Sequence, residues 1–151
     1  MFEEKVKVFR IRETAKIPER AHRTDAGMDL FFAPENGESV TIQPGQSIIL
    51  GTGLKVSVPI GHMLQIMNKS GVASKKQLVT GACVVDRGYD GEVFVNLQNI
   101  GQQPQTIAPG VKVAQGVFIP VSMPIMVEIN EDQVYPRPTE RGSGALGSTG
   151  E

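Results

Sequence analysis

Tryptophan is absent from this 151-residue chain, histidine occurs twice and cysteine once. The lone thiol, Cys83, rules out an intrachain disulfide and any cysteine-rich metal site, so a reducing compartment is expected: the cytoplasm, or the host cytoplasm for a viral chain. With only His22 and His62 available, a Ser-His-Asp triad has little to draw on. No H-x-E accompanies a P-C-x-x-C, so a zinc deaminase of that kind is not expected, and no G-x-x-x-x-G-K-[ST] is present to make a P-loop. An excess of charge is missing too. Fifteen Lys and Arg against 16 Asp and Glu leave a net charge of -1, which builds no basic face for nucleic acid. The charged start "MFEEKVKVF" and the lack of any long apolar run predict neither a signal peptide nor a membrane span.

What is present suits one globular domain. Hydrophobic residues make up 40% and charged residues 21% of the chain. A chain of this length can bury roughly 70% of its unfolded surface. Apolar residues alternate at Leu54, Val56 and Val58, at Val93, Val95 and Leu97, and at Ile125, Val127 and Ile129. That period of two predicts half-buried strands. Between the runs lie turn signals: "PENG" at 34–37, "PG" at Pro44 and Pro109, and "PIG" at Pro59. Their spacing suits a β-sandwich or barrel. Helical spacing is almost absent, apart from a short helix predicted near Ser70 with Ser70 as its N-cap. After about Glu131 the chain turns polar and rich in Pro and Gly, which predicts a β domain over 1–130 and a flexible arm over 131–151.

Four stretches could carry chemistry, and each also has an ordinary reading. "TDAGMDL" (24–30) sets Asp25 and Asp29 either side of a glycine, which makes an Asx-type turn or an acidic site for hydrated Mg²⁺. "NKSGVASK" (68–75) joins a cation, a hydroxyl and a helix start, which makes a solvated cap or a phosphate site. "VVDRGYDGEVFVNL" (84–97) is predicted as a β-hairpin with a tight turn over 86–91, where Tyr89 lies beside two carboxylates. Such a base with a flat ring next to it could serve a sugar or nucleotide. The closing "RGSGALGSTG" is too small and polar to hold itself down, so it is a free terminus or a wrap for polyphosphate.

Taken together and in this order, with "PGVKVAQ" (109–115) between the last two, these stretches resemble the five motifs of the trimeric dUTPase family, which hydrolyses dUTP to dUMP and pyrophosphate. The resemblance runs from Thr24 to Gly150. It implies an all-β, jelly-roll-like barrel with one short helix, and a homotrimer whose active sites draw on neighbouring subunits. It further implies that Asp86 activates a water for attack on the α-phosphorus, with Mg²⁺ as cofactor. Tyr89 would lie against the deoxyribose and exclude a 2′-OH. Thr80, Gly81, Cys83 and Val84 would read the uracil edge. Lys69, Ser70, Gly71 and Gln115 would meet the phosphates, and Asp29 would hold water on the metal. Arg141, Leu146, Gly147, Ser148 and Thr149 would close over the triphosphate as a lid. The cellular consequence would be exclusion of uracil from DNA and supply of dUMP for dTMP synthesis.

The chain departs from the family pattern at three places. Lys69 replaces the usual Arg, exchanging a bidentate fork for a point charge. Ala145-Leu146 replaces Gly-Phe, which removes a ring whose stacking on a base is worth roughly 1–3 kcal/mol. Cys83 stands where glycine is common. Three rivals of different kind remain beside the dUTPase reading. One is the related dCTP deaminases, which need a glutamate where this chain has Asn96. Another is a nucleotide-responsive protein that uses the same pocket and tail as a switch for a partner, and a third is a viral or structural trimer that uses only the fold.

Overall fold

The computed structural model describes residues 5–145, so the expected lid residues Leu146, Gly147, Ser148 and Thr149 lie outside the described residues. Short strands dominate: β1 (Val8–Arg10), β2 (Met28–Phe31), β3 (Val40–Ile42), β4 (Ser47–Gly51), β5 (Leu54–Val56) and β6 (His62–Met67) precede α1 (Ser70–Lys76). After it come β7 (Leu78–Thr80), β8 (Val84–Val85), β9 (Phe94–Asn99), β10 (Gln105–Ile107), β11 (Lys112–Pro120) and the single turn α2 (Glu131–Val134). This is the all-β, jelly-roll-type architecture expected, with one short helix in the body of the domain. Glycine marks the predicted turns: Gly37, Gly45, Gly61 and Gly110 all have φ between 70° and 81°, a region closed to most side chains.

Two sheets sandwich the core. One runs β2-β11-β6-β8 and the other β4-β9-β7, with the pairs β1-β5 and β10-β3 flanking them. Alternation decides which side chains turn inward. Leu30, Leu64, Ile66 and Ala114 from the first sheet meet Leu50, Leu78, Val95 and Leu97 from the second in one buried cluster. Burying a large aliphatic side chain contributes about 1.5–3 kcal/mol each, so this cluster is the main source of the domain's stability.

Strand β11 carries one irregularity. Gln115 lies opposite Asp29 and Ala114 opposite Leu30, but Lys112, not Val113, lies opposite Phe31. Residues directly opposite in an antiparallel ladder share a face, so this bulge turns Lys112 onto the face of Asp29 and Phe31.

Three local expectations need correction. Ser70 is the first residue of α1, not its cap; Lys69 is the N-cap, in extended conformation at φ −86° and ψ 133° and without a side-chain cap bond. The Ser70 hydroxyl is thereby freed from capping, and its carbonyl accepts a bond of 2.6 Å from the Ser74 hydroxyl. The stretch 84–97 is no hairpin. β8 pairs with β6, whereas β9 pairs with β4 and β7, so the connection crosses between sheets. The ladder from Gly51 opposite Phe94 to Ser47 opposite Gln98 commits the return strand to the second sheet, and the Val93 N–H donates to the Leu54 carbonyl of β5 at 2.8 Å. Finally, the alternating Ile125, Val127 and Ile129 form no strand. They are exposed in this single chain, where no sheet edge is paired with them.

Candidate functional site

Apart from Arg141, the expected site residues among the described residues fall into two clusters, joined through Asn68. The first gathers at the end of β6 and the start of α1. Asp29, on β2, is 4% exposed, and its carboxylate is closed by two lysines. Lys69 makes an ion pair with Oδ1, and Lys112 Nζ lies 2.7 Å from Oδ2, which otherwise has no hydrogen-bond partner. Burial opposes ionisation of Asp29, but Lys112 and Lys69 outweigh it and hold the carboxyl below its ordinary value. The Asp29 charge in turn raises the Lys112 ammonium above its own. Lys112 also lies 5.9 Å from the centre of the Phe31 ring, and Lys16 lies 5.1 Å from it. Two ammonium groups against one carboxylate leave this corner electropositive, the sign that phosphates need.

Gln115 belongs to the same corner. Its Nε2 donates to the Asn68 carbonyl at 2.9 Å, and Gly27 gives it room, since a Cβ there would overlap the Gln115 amide. Asn68 is the bridge: its Oδ1 accepts the Thr80 N–H at 2.7 Å and so ties the lysine corner to the turn that follows β7.

The second cluster is built on that turn and on the crossing from β8 to β9. Asn96 organises it. Its carbonyl accepts the Gly81 N–H at 3.0 Å, its Oδ1 accepts the Ala82 N–H at 3.2 Å, and its Nδ2 donates to the Ser47 hydroxyl and the Ile48 carbonyl. The donors of Thr80, Gly81 and Ala82 are therefore taken within the fold. A base edge placed here falls to the Cys83 N–H and the carbonyls of the turn. The Cys83 side chain is half-buried and packs against the core, while its carbonyl accepts the Ile66 N–H at 2.7 Å.

Asp86 and Tyr89 stand at the ends of one tight turn, in which the Tyr89 N–H donates to the Asp86 carbonyl at 3.3 Å and Gly88 adopts φ 93°. Asp86 is exposed. The Tyr89 ring folds back over its own loop, and its hydroxyl donates to the Glu92 carbonyl at 2.9 Å. Gly91 permits this, because a Cβ there would overlap the phenol. Gly91→Ala should therefore displace the ring from the Glu92 carbonyl at little cost to folding; a crystal structure of the variant beside a thermal melt would check it. Cys83, Val84, Asp86 and Tyr89 line a cavity of about 220 Å³. A larger apolar cavity of about 420 Å³, between Val8, Ile17, Met28 and Phe118, holds none of the expected site residues.

Arg141 is exposed, and its Nε donates to the Gly144 carbonyl at 3.0 Å, within the arm. Within one chain it is not brought to either cluster. Reading the sequence missed Lys112, whose position depends on the bulge, and Asn68, whose role depends on a fold contact. It also missed α2, although Asn130 and Gln133 carry its signature as a reciprocal capping box.

The arrangement offers an exposed carboxylate and an aromatic ring around a small cavity, with a cationic corner one bridging residue away. The family model described as dUTPase matches residues 13–150. The deoxyuridine 5'-triphosphate nucleotidohydrolase of Alkaliphilus metalliredigens is 38% identical over 147 residues, covering 96% of each chain. That of Clostridium kluyveri is 37% identical over 145 residues, covering 95% of this chain and 96% of its own. Among solved structures, the Staphylococcus bacteriophage 80alpha dUTPase with dUpNHpp superposes with a TM-score of 0.86 at 27% identity, over 97% of this chain and 99% of its own. The dUTPase of S. aureus phage phi11, in which a structural Mg(II) ion is coordinated, gives 0.77 at 28% identity over 85% and 98%. A family match over residues 13–150, with 37–38% identity to relatives covered almost whole, places the chain in the dUTPase family.

Proposed function

We propose that this chain is a dUTP diphosphatase, which cleaves dUTP to dUMP and pyrophosphate. The observation that carries this reading is the shared turn of Asp86 and Tyr89 on the small cavity, in a chain whose curated relatives carry that activity along their full length. Asp86 orients a water and takes its proton as the oxygen attacks the α-phosphorus; the bond to the β-phosphate oxygen breaks and pyrophosphate leaves. The Tyr89 ring lies against the deoxyribose and fills the space of a 2′-OH. The turn from Thr80 to Val84 reads uracil through the Cys83 N–H and neighbouring carbonyls, and a 5-methyl group is excluded by shape. Lys69, the uncapped Ser70 hydroxyl, the Gly71 backbone and Gln115 meet the phosphates. Arg141 and the arm's last residues close over them.

A Mg²⁺ ion supplies charge neutralisation to a triphosphate. The chain's own residues do not build a centre for it: no group of three His, Cys, Asp or Glu converges among the described residues, and both oxygens of Asp29 face lysines. Asp29 could take up metal-bound water only after an ammonium moved away. The fit therefore favours a metal that arrives chelated by the substrate.

The segment that follows β11 supports assembly as a homotrimer with shared active sites. Met123, Ile125, Met126 and Val127 are 71–90% exposed, a contiguous apolar segment that one chain alone leaves in water. A chain ended at Pro120 should elute near its monomer mass with little activity, whereas the full chain should elute at three times its monomer mass. Light scattering on both would check this, and a monomeric, active full chain would refute it.

No glutamate replaces Asn96, and its amide is spent on holding the base-edge turn, which removes the support for dCTP deamination. The direct test is hydrolysis of dUTP, dCTP, dTTP and UTP with Mg²⁺, resolving dUMP and pyrophosphate. Products from dUTP alone support the reading. Release of ammonia from dCTP, or dUTP binding without turnover, would overturn it.

A further inference from the structure

Arg12 and Glu92 are 80 residues apart, yet their side chains form an ion pair and are only 15% and 12% exposed. The pair is built into its surroundings. Arg12 Nε donates to the Ala33 carbonyl at 2.9 Å, and Glu92 Oε1 also accepts the Gly53 N–H at 2.7 Å. Gly51 leaves room for it, since a Cβ there would stand 2.6 Å from Glu92 Oε1 and 2.9 Å from Arg12 Nη2. At Gly53, φ is 69°, and a Cβ would lie 3.3 Å from Arg12 Nε. The next residue is held as firmly: the buried Thr52 donates its hydroxyl to the Val93 carbonyl at 2.6 Å.

This anchorage lies at the root of the loop that carries Asp86 and Tyr89, and one bond transmits it to the ring, since the Tyr89 hydroxyl donates to the carbonyl of Glu92 itself. We propose that Arg12 and Glu92 are positioning residues for sugar selection: they fix the Glu92 peptide, and through its carbonyl the Tyr89 ring, at the depth that admits deoxyribose and rejects ribose. The inference rests on the dUTPase reading. Exclusion by contact changes steeply with distance, because a displacement of a fraction of an ångström opens space for an oxygen atom. Proton transfer at Asp86 depends on the opposite end of the turn. Loosening the anchor therefore weakens discrimination before it slows turnover of the correct substrate.

The experiment compares kcat and KM for dUTP and UTP in the wild-type chain, Glu92→Gln, Arg12→Lys and Tyr89→Phe, with a thermal melt of each. Glu92→Gln keeps an acceptor for Gly53 but loses the charge, and Tyr89→Phe keeps the ring but loses its tether. Both should lower the dUTP-to-UTP ratio of kcat/KM by about tenfold, the scale of one hydrogen bond to or through a charged group, chiefly by admitting UTP. In Glu92→Gln, kcat for dUTP should stay within about twofold of wild type. Arg12→Lys, which retains the charge, should recover part of the ratio. If Glu92→Gln melts early but discriminates as wild type does, the pair is structural only and the inference fails. Should it not fold, an unchanged ratio in Tyr89→Phe sinks the inference alone. A wild-type chain without preference for dUTP sinks the dUTPase reading as well.

Discussion

Asp86→Asn is expected to lower dUTP turnover by about a thousandfold or more, the upper range for loss of a general base. The amide is close to isosteric with the carboxylate, and the main-chain bond from the Tyr89 N–H to the Asp86 carbonyl does not involve the side chain. The turn should therefore persist and nucleotide binding with it. Single-turnover kinetics and equilibrium binding of a non-hydrolysable dUTP analogue separate the two effects. Retention of more than a tenth of the activity would move the proton-accepting role elsewhere. Because Asp86 is exposed, its replacement should leave the melting temperature near wild type.

Asp29→Ala carries the largest expected change in stability. It removes the one anion between Lys69 and Lys112 and leaves two ammonium groups facing a hole. We expect a loss of about 2 kcal/mol, below that of a fully buried pair because both lysines reach solvent. The pH dependence has a definite sign. Lysine contacts hold the Asp29 carboxyl below its ordinary value of 3.8, so its contribution is complete above that pH and is lost as pH falls through the lowered folded-state value. The Lys112 ammonium is raised above 10.5, so its contribution is complete below that pH and is lost as pH rises through the raised value. Wild type and variant should thus differ most between these limits and converge in acid; denaturant melts across pH measure this. A Mg²⁺ titration of activity with Asp29→Asn gives the opposing test. A changed metal requirement with unchanged stability would assign Asp29 to metal-bound water and against the lysines.

Much of this protein was legible in its residues. Alternation at Val93, Val95 and Leu97 marked a buried strand face, and the Pro-Gly steps marked turns that need positive φ. Asp86, Tyr89 and Lys69 stood out only through the joint resemblance of five motifs, since each stretch alone reads as an ordinary turn or cap. Pairing was not legible. Asp86 to Gly91 looks like a hairpin turn, but which strand meets which is settled by long-range pairings such as those of β9 with β4 and β7. The alternation at Ile125, Val127 and Ile129 reported apolar surface correctly, but not what would cover it. The lysine corner was half legible: Lys69 belongs to a motif, whereas Lys112 reaches Asp29 only through an irregular ladder.

That bulge makes β11 intolerant of a change in length. Simple alternation through Val111, Val113 and Gln115 would send Gln115 inward, yet Val113 and Ala114 are both buried in sequence. Deleting Val113 would restore a regular ladder with Lys112 still opposite Phe31, but would strip a buried valine from the core. Inserting a residue before Ala114 would shift the upstream segment instead and carry Lys112 off Asp29. A deletion in this segment therefore costs the core, whereas an insertion costs the site.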